Sequence, residues 1–320
     1  MHNIRAIIAT ELKAVDQLIV KNLHSEVSLV EDIGQYIVEA GGKRMRPTLV
    51  LLAAKALGYK GSLNIELATA IEYIHTATLL HDDVVDISMM RRGRPTANAQ
   101  WGNAPSVLVG DFIYSRAFQM LVAMNSMDIM ALLAETTNKI AEGEVLQLQK
   151  AGDPSTSEEE YLTVIRNKTA ILFEASSLGG AIIAGATPEQ QQALQTYGSA
   201  LGTAFQLIDD VLDYQGDPEK MGKNIGDDLA EGKPTLPLIF TMRQADQANA
   251  KLVEDAICQK SSANLQQIIQ AVNSNGAIDY TYALAVSERD KAIAALAALP
   301  DNEATQQMAR LAKLAVNRNA

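Results

Sequence analysis

Residues 79–86 read LLHDDVVD, and residues 207–213 read LIDDVLD. Each segment ends an apolar stretch with the pattern Asp-Asp-x-x-Asp and precedes a basic, glycine-rich loop. On a helix, the first and last aspartates of this pattern lie about 6 Å apart along the axis and on one face. Two such carboxylates repel each other unless cations lie between them, and Mg²⁺ prefers oxygen ligands. The repeat therefore predicts two helix ends that together form one magnesium–diphosphate site.

The composition around these segments favours helices. The 320 residues are 48% hydrophobic and only 5% aromatic. Ala, Leu, Gln and Glu are abundant and lose little side-chain freedom in a helix. Apolar residues recur every three or four positions, which predicts helices over 4–40, 63–85 and 158–184, with structured loops over 88–105 and 215–235. We therefore predict an all-α protein, with residues 1–320 forming a single large helical bundle domain.

Charge and targeting signals narrow the function classes. The formal net charge is −11, which disfavours nucleic acid as a partner. We find no signal peptide and no apolar run of 18 residues, so a membrane span is not expected. Cys258 has no second cysteine with which to pair, which fits a reducing compartment. These features predict a cytoplasmic protein.

Basic residues are concentrated near both acidic motifs in this acidic chain. The segment GGKRMRP at 41–47 places three cations at a predicted helix start, an arrangement suited to an anion. Arg91, Arg92 and Arg94 follow the first acidic motif, and Lys223 and Lys233 follow the second. His75 lies two turns before Asp82 on nearly the same face, where it could donate to a phosphate. We expect Asp83 to support the metal ligands and His81 to pack or to orient the aspartates.

Eight segments, in order and over nearly the whole chain, resemble the trans-isoprenyl diphosphate synthases, and most closely the bacterial octaprenyl diphosphate synthases that make quinone side chains. The segments are GGKRMRP (41–47), HTATLLHDDVVD (75–86), MRRGRPTAN (90–98), GDFIYSRAF (110–118), AEGEVLQL (141–148), NKTA (167–170), GTAFQLIDDVLDY (202–214) and GKNIGDDLAEGKPTLP (222–237). The resemblance implies a bundle of the isoprenoid synthase type with a central tunnel for substrate and product. It also implies a homodimer.

The resemblance implies distinct roles for the site residues. Two to three Mg²⁺ ions would be bound by four aspartates: Asp82, Asp86, Asp209 and Asp213. An allylic diphosphate such as farnesyl diphosphate would bind through these ions and through Arg91, Lys168, Thr169, Gln206, Lys223 and Lys233. Isopentenyl diphosphate would bind without metal to Lys43, Arg46, His75 and Arg92. Lys168 would help the diphosphate to leave, and the oxygens of Thr169 and Gln206 would stabilise the allylic cation.

Product length is expected to depend on the residues behind Asp82. Ala77 and Thr78 are small where short-chain members of the family carry a bulky aromatic residue, which implies a long product. Ile74 lies one turn further back, and the tunnel floor would come from a partner helix. Its candidate floor residues are Phe118, Met120 and Met124. Heptaprenyl, nonaprenyl and shorter products stay open alternatives.

Three other functions compete with this interpretation. A terpene cyclase also uses an aspartate-rich metal site, but it does not need a second, metal-free diphosphate site. A phosphohydrolase with a His-Asp metal centre would need several metal-binding histidines, and the chain has four histidines in all. A non-catalytic subunit of a heteromeric synthase would be expected to lose its aspartates, whereas both motifs are intact.

Overall fold

The computed structural model describes residues 2–215 and 225–317, and their regular structure is almost entirely helical. The N-terminal part contains α1 (His2–Ala6), α2 (Ala9–Asn22), α3 (Ser28–Glu39), α4 (Met45–Ala56), α5 (Leu63–Val85), α6 (Ala97–Trp101), α7 (Asn103–Ala123) and α8 (Met127–Lys150). The remainder contains α9 (Glu158–Ile165), a π-helical segment (Arg166–Ala170), α10 (Ile171–Ile183), α11 (Pro188–Gln215), α12 (Asp227–Ala230), α13 (Leu236–Gln244), α14 (Gln247–Gln259), α15 (Leu265–Ser274), α16 (Ala277–Ala295) and α17 (Glu303–Val316). The all-α prediction is confirmed.

The described residues group into two compact units. Unit 1 comprises Met1–Thr137, Leu172–Gly198 and Ile293–Leu311. Unit 2 comprises Asn138–Ile171, Ser199–Ala292 and Ala312–Ala320. The single domain over 1–320 stays a prediction. No helix in the described ranges combines the length and the apolar character that crossing a membrane requires.

Helix α5 lies in the core of unit 1, where it packs against α2, α4 and α7. It is buried along most of its length, because small and aliphatic side chains cover several of its faces. Tyr73 is 1% exposed, and its hydroxyl donates to the Ile19 carbonyl at 2.5 Å. A Cβ at Gly180 of α10 would lie 2.8 Å from both Ala53 Cβ and Val50 O of α4, so glycine permits the close approach of these two helices. This packing buries α5 among the neighbouring helices of unit 1.

The N-terminal segment 4–40, predicted as one helical stretch, forms three helices instead. The break between α2 and α3 has a polar cause. Glu31 Oε1 accepts from the Ser25 backbone N–H at 2.9 Å and lies 2.6 Å from His24 Nδ1. These contacts satisfy polar groups just before α3 and favour a chain reversal over a continuous helix. Apolar periodicity continues across such a break, and so the sequence pattern did not reveal it.

The predicted loop 88–105 contains a short antiparallel hairpin. Strands β1 (Met90–Arg91) and β2 (Arg94–Pro95) pair with Met90 opposite Pro95 and Arg91 opposite Arg94. The two turn residues, Arg92 and Gly93, have φ angles of 53° and 73°. Two-residue turns with positive φ at both positions match the twist of a hairpin. The turn therefore fixes the directions of the arginines that follow the first aspartate motif.

Unit 2 has two hydrophobic clusters. One is formed around Val253, Ile257 and Ile268, where α13, α14 and α15 pack together. The other is formed around Tyr161 of α9 and Leu207 of α11. The second cluster holds the start of α9 against the helix that carries the second aspartate motif.

Candidate active site

The first aspartate motif lies at the C-terminal end of α5. Asp82 and Asp83 belong to its last turn, and Asp86 caps it with a backbone N–H that donates to the Asp82 carbonyl at 2.8 Å. The carboxylates of Asp82 and Asp86 are both partly exposed. A helix C-terminus carries partial negative charge, so aspartates there are unfavourable without a cation. This end of α5 is therefore suited to attract a metal ion.

Asp83 has a different environment from its two neighbours. It is 0% exposed, and Arg91 of the hairpin contacts its Oδ1 through Nε at 2.8 Å and Nη2 at 2.7 Å. Burial raises the pKa of Asp83, while the Arg91 guanidinium opposes that shift. Asn98 Nδ2 also donates to the Asp83 carbonyl at 3.1 Å. Asp83 therefore anchors the hairpin. The role of Arg91 as a diphosphate ligand stays a prediction.

Several arginines lie near enough to His75 of α5 to act on its charge. Burial holds the pKa of His75 well below its usual value, and the positive charges of Arg46, Arg92, Arg91 and Arg44 lower it further. The ring is therefore neutral near pH 7 and retains one N–H donor. The guanidinium of Arg46 lies 4.6 Å from the centre of the Phe173 ring. Arg46 and Arg92 beside a neutral imidazole form an environment suited to an anion.

The GGKRMRP segment contributes its basic residues in different ways. Arg44 pairs with Glu72 at 2.7 Å and with Asp16 at 3.2 Å, so it has a structural role. A Cβ at Gly42 would lie 3.0 Å from both Nη atoms of Arg92, so the glycine makes room for that guanidinium. Lys43 is exposed, and its backbone carbonyl accepts from Arg5. The structure therefore places Arg46, His75 and Arg92 together, with the exposed Lys43 next to Gly42.

His81 packs against the start of α7. Its Nε2 lies 3.2 Å from the Val107 carbonyl and 3.3 Å from Asp111 Oδ1. A Cβ at Gly110 would lie 2.4 Å from the same nitrogen, so the glycine leaves room for the His81 ring in this orientation. His81 therefore contacts α7, and the packing role expected for it fits this position.

The residues expected to control product length lie on α5 and α7, which run antiparallel. Ser106, near the start of α7, donates to the Leu80 carbonyl near the end of α5 at 3.2 Å. Ile74 and Ala77 are both 0% exposed, and Thr78 is half-buried with its hydroxyl donating to the His75 carbonyl at 2.8 Å. Helical rise places half-buried Met120 about 21 Å beyond Ser106 along α7, towards the N-terminal half of α5.

The other two candidate floor residues differ in position. Met124 is 7% exposed, whereas Phe118 lines an open surface groove with Tyr114, Ser115, Gln119 and Val122. Ile113, Ala117 and Leu121 form the buried face of α7. Met124 and Met120 are therefore better placed than Phe118, and the assignment of a tunnel floor stays a prediction.

The site residues of unit 2 begin with the π-helical segment, which carries Lys168 and Thr169. A Cβ at Gly143 of α8 would lie 2.7 Å from the Lys168 backbone nitrogen. A Cβ at Gly202 of α11 would lie 2.6 Å from Ala170 Cα. Both glycines therefore allow neighbouring helices to approach the backbone of this segment. Single π turns inside helices are frequent at functional sites because they redirect side chains.

Side-chain contacts link the π-helical segment to α8 and to α11. Lys168 Nζ lies 2.7 Å from Glu144 Oε2, and the Thr169 hydroxyl donates to Gln206 Oε1 at 3.1 Å. Gln206 Nε2 in turn donates to Asp210 Oδ1 at 2.9 Å. The predicted residues Lys168, Thr169 and Gln206 are thus positioned by Glu144 and Asp210. Neither carboxylate was predicted to have a site role from the sequence.

The second aspartate motif is more buried than the first. Asp209 is partly exposed, but Asp210 and Asp213 are 2% and 0% exposed. Burial and the nearby Asp228 raise the pKa of Asp210 to about 7, while hydrogen bonds from Tyr161 and Gln206 oppose this shift. Equivalent spacing in the two motifs therefore does not give equivalent environments. Tyr161 and Asp228 belong to this acidic region. Asp228 lies in the segment 222–237 that resembles the family, whereas no sequence pattern indicated Tyr161.

Two further predicted diphosphate ligands follow the second motif. Lys233 forms an ion pair with Glu231, and its backbone N–H donates to the Asp228 carbonyl at 2.9 Å. The backbone at Lys233 thus lies close to α12. Lys223 lies outside the described residues, and its role stays a prediction.

The partly exposed aspartates have the donor atoms that Mg²⁺ requires. Asp82 and Asp86 offer oxygen ligands one helical turn apart, and Asp83 is occupied by Arg91. Within 2–215 and 225–317, no group of three or more His, Cys, Asp or Glu side chains forms a metal site. Mg²⁺ commonly binds one or two protein carboxylates and completes its six ligands with water and substrate phosphate. The residues therefore fit such an ion, while the set of four aspartates and the number of ions stay predictions.

Comparison with known proteins identifies the family. The Polyprenyl synthetase family model matches residues 27–274. Octaprenyl diphosphate synthase of Escherichia coli K12 is 50% identical over 320 residues, covering 100% of this chain and 99% of that protein. The all-trans-nonaprenyl-diphosphate synthase (geranyl-diphosphate specific) of Rhodobacter capsulatus is 46% identical over 317 residues, covering 99% of this chain and 97% of that protein.

A solved structure extends the similarity to the whole fold. The polyprenyl synthase of Caulobacter crescentus CB15, complexed with calcium and isoprenyl diphosphate, matches with a TM-score of 0.96 and 43% sequence identity. The match covers 99% of this chain and 97% of that one. The helical bundle is therefore of the isoprenoid synthase type, and the chain is a prenyltransferase that belongs to the polyprenyl synthetase family.

Proposed function

We propose that this chain is a long-chain trans-polyprenyl diphosphate synthase that makes an octaprenyl product for quinone side chains. It would condense isopentenyl diphosphate with an allylic diphosphate such as farnesyl diphosphate. One observation carries the proposal: α5 carries two chemically different groups, His75 near the arginines of α4 and the hairpin, and the aspartate pair Asp82 and Asp86 at its C-terminal end. They are about 10 Å apart along the helix. A terpene cyclase has no need for the arginines near His75.

The arginines near His75 form the proposed site for isopentenyl diphosphate. Arg46, Arg92 and Lys43 supply positive charge, and neutral His75 supplies an N–H donor. Guanidinium groups recognise phosphate oxygens without metal. Because this diphosphate is retained in the product, binding it through fixed cations avoids activating it as a leaving group.

The aspartate motifs are the proposed site for the allylic diphosphate. Asp82, Asp86, Asp209 and Asp213 would hold two to three Mg²⁺ ions, with Arg91, Lys168, Lys223 and Lys233 neutralising the remaining charge. The structural relative complexed with calcium and isoprenyl diphosphate supports a divalent ion beside this class of ligand. When bound, the ions would stabilise the negative charge that develops on the leaving diphosphate.

The reaction follows from these charges. The allylic C–O bond breaks, and its electron pair leaves with the diphosphate, which Lys168 stabilises. The oxygens of Thr169 and Gln206 face the resulting allylic cation. The double bond of isopentenyl diphosphate then supplies the electron pair of the new C–C bond, and a proton passes to the departing diphosphate. No side-chain base is required.

Product length and assembly complete the proposal. The small Ala77 and half-buried Thr78 would leave space for a long product beside α7. The names of the E. coli and R. capsulatus relatives support a product of eight or nine prenyl units. Exposed apolar side chains on α7 and α8, namely Leu108, Val122 and Met127, support a homodimer that covers them. The cytoplasmic location stays a prediction.

The proposal is tested with purified protein, labelled isopentenyl diphosphate, farnesyl diphosphate and Mg²⁺. The wild type should form a labelled, acid-stable prenyl product, and omission of Mg²⁺ should abolish it. Asp82→Ala and Asp209→Ala should each lower turnover by orders of magnitude. Near-normal turnover in either variant would contradict the proposal that both motifs act on one diphosphate.

A further inference from the structure

The Thr169 hydroxyl is used differently from those of other helical threonines in unit 2. In a helix, a threonine hydroxyl commonly donates to the carbonyl four residues earlier. Four threonines of unit 2 do so at 2.7–2.9 Å: Thr163, Thr203, Thr241 and Thr281. Thr169 lies in the π-helical segment and instead donates to the side chain of Gln206 at 3.1 Å. The direction of the Thr169 hydroxyl proton is therefore set by its contact with Gln206 of another helix, not by its own helix backbone.

The direction of that proton depends on Asp210. Gln206 Nε2 donates to Asp210 Oδ1 at 2.9 Å, which is the hydrogen bond that an ionised Asp210 carboxylate accepts. With Asp210 ionised, only the NH₂ group of the Gln206 amide can face it, whichever way the amide was first placed. Gln206 Oε1 then faces Thr169 and can only accept. The Thr169 hydroxyl must donate to it, so the free sides of Thr169 Oγ1 carry only lone pairs.

Tyr161 fixes the other side of the Asp210 carboxylate. Its hydroxyl donates to Asp210 Oδ2 at 2.5 Å, and both residues are nearly fully buried, at 5% and 2% exposure. With Gln206 on Oδ1 and Tyr161 on Oδ2, the carboxylate cannot rotate without breaking a buried hydrogen bond. Leaving a buried polar group unpaired is unfavourable, so this arrangement is stable.

We propose that Tyr161 and Asp210 are positioning residues that orient Gln206 and Thr169 so that Thr169 Oγ1 presents lone pairs, and no proton, to the allylic cation. The inference rests on the proposed function, because a cation must form beside Thr169. A hydroxyl proton pointing at a carbocation would repel it, whereas a lone pair stabilises it. Asp210 thus acts through hydrogen bonds and is not a direct metal ligand, unlike the role proposed for Asp209.

The first test separates the turnover rate from binding. Tyr161→Phe loses one hydrogen bond, and Asp210→Asn allows the Gln206 amide to adopt either orientation. We expect kcat to fall about 3- to 10-fold in the first and about 10- to 100-fold in the second, the range for one or more misdirected hydrogen bonds. KM for both substrates and the Mg²⁺ concentration for half-maximal rate should change by less than about threefold. A raised Mg²⁺ requirement in Asp210→Asn would instead assign Asp210 to metal binding and overturn the proposal.

The second test is a double-mutant cycle with Thr169→Val, which removes the hydroxyl at similar volume. If Tyr161 acts through Thr169, adding Tyr161→Phe to Thr169→Val should lower kcat by less than about twofold. Additive losses of kcat would contradict the proposal that Tyr161 acts through Thr169. Thr169→Ser keeps a hydroxyl and should recover most of the rate. Tyr197→Phe loses a comparable buried bond, from its hydroxyl to the Met308 carbonyl at 2.9 Å, and serves as the stability control.

The outcomes distinguish this inference from the proposed function. A folded wild type that forms no condensation product would reject the proposed function itself. An active wild type whose variants lose kcat additively would reject only the positioning role of Tyr161 and Asp210. If Asp210→Asn does not fold by circular dichroism, the cycle between Tyr161 and Thr169 still decides the question.

Discussion

Replacing Gly202 with alanine would disturb the π-helical segment through a backbone contact. The new Cβ would lie 2.6 Å from Ala170 Cα, 2.9 Å from Ala170 Cβ and 3.1 Å from Ala170 O. Ordinary carbon contacts are about 3.5–4.0 Å, so the two backbones must separate by about 1 Å. Overpacking of this kind costs about 1–3 kcal/mol, partly offset by about 1 kcal/mol of helix propensity gained over glycine. We therefore expect the free energy of unfolding to fall by at most about 2 kcal/mol.

The effect of Gly202→Ala on turnover should exceed its effect on stability. A displacement of about 1 Å in a positioning element can lower a rate about 100-fold, and Thr169 lies next to Ala170. Stability would be measured by urea denaturation and kcat by the condensation assay.

Gly34→Ala is the matched control for this prediction. Its Cβ would meet only the end of the flexible Leu23 side chain, at 3.0 Å. The control should therefore retain wild-type kcat and stability, or gain slightly from helix propensity. If Gly202→Ala protein keeps the wild-type kcat and urea midpoint, the close contact between Gly202 and Ala170 does not constrain the π-helical segment.

Three further predictions concern α5. Ala77→Phe should shorten the product, because Ala77 is fully buried on α5 and a bulky ring there would fill the proposed product tunnel. Unchanged product length by chromatography would contradict the tunnel assignment. Asp83→Asn should lower the free energy of unfolding by about 1–3 kcal/mol, because Arg91 loses a charged partner, and urea denaturation would measure this. Folding lowers the pKa of His75, so below about pH 6.5 the unfolded chain binds more protons than the folded protein. The free energy of unfolding therefore falls as the pH falls, by up to about 1.4 kcal/mol per pH unit. His75→Gln should flatten this slope between pH 6.5 and 5, and an unchanged slope would show that His75 is not its source.

Local patterns in the sequence predicted the helices that carry the site. The predicted span 63–85 agrees with α5, because apolar spacing and the bracketing glycine-rich segments are both local signals. The position of the first aspartate motif at a helix end followed from the same pattern. The extended helix over 4–40 was wrong, because the chain breaks between α1 and α2 and again between α2 and α3, where Glu31 accepts from the Ser25 backbone N–H.

The different roles of aspartates within a motif could not be predicted from spacing. Asp83 is buried because Arg91 of the hairpin binds it, and Asp210 is buried beside Tyr161, which is 49 residues away in the chain. The π-helical segment likewise depends on Gly143 and Gly202 in neighbouring helices. Contacts between distant parts of the chain determine these features, and no local periodicity reports them.

The length of the product formed by the wild-type protein tests the central claim most directly. Purified protein would be incubated with farnesyl diphosphate, an excess of isopentenyl diphosphate and Mg²⁺, and the dephosphorylated products would be sized by chromatography and mass spectrometry. The proposed function predicts an octaprenyl product of 40 carbons, which follows from five additions of a five-carbon unit to a 15-carbon primer. A product that stops at 20 carbons would contradict the long-chain assignment, and the absence of any condensation product would contradict the proposed function as a whole.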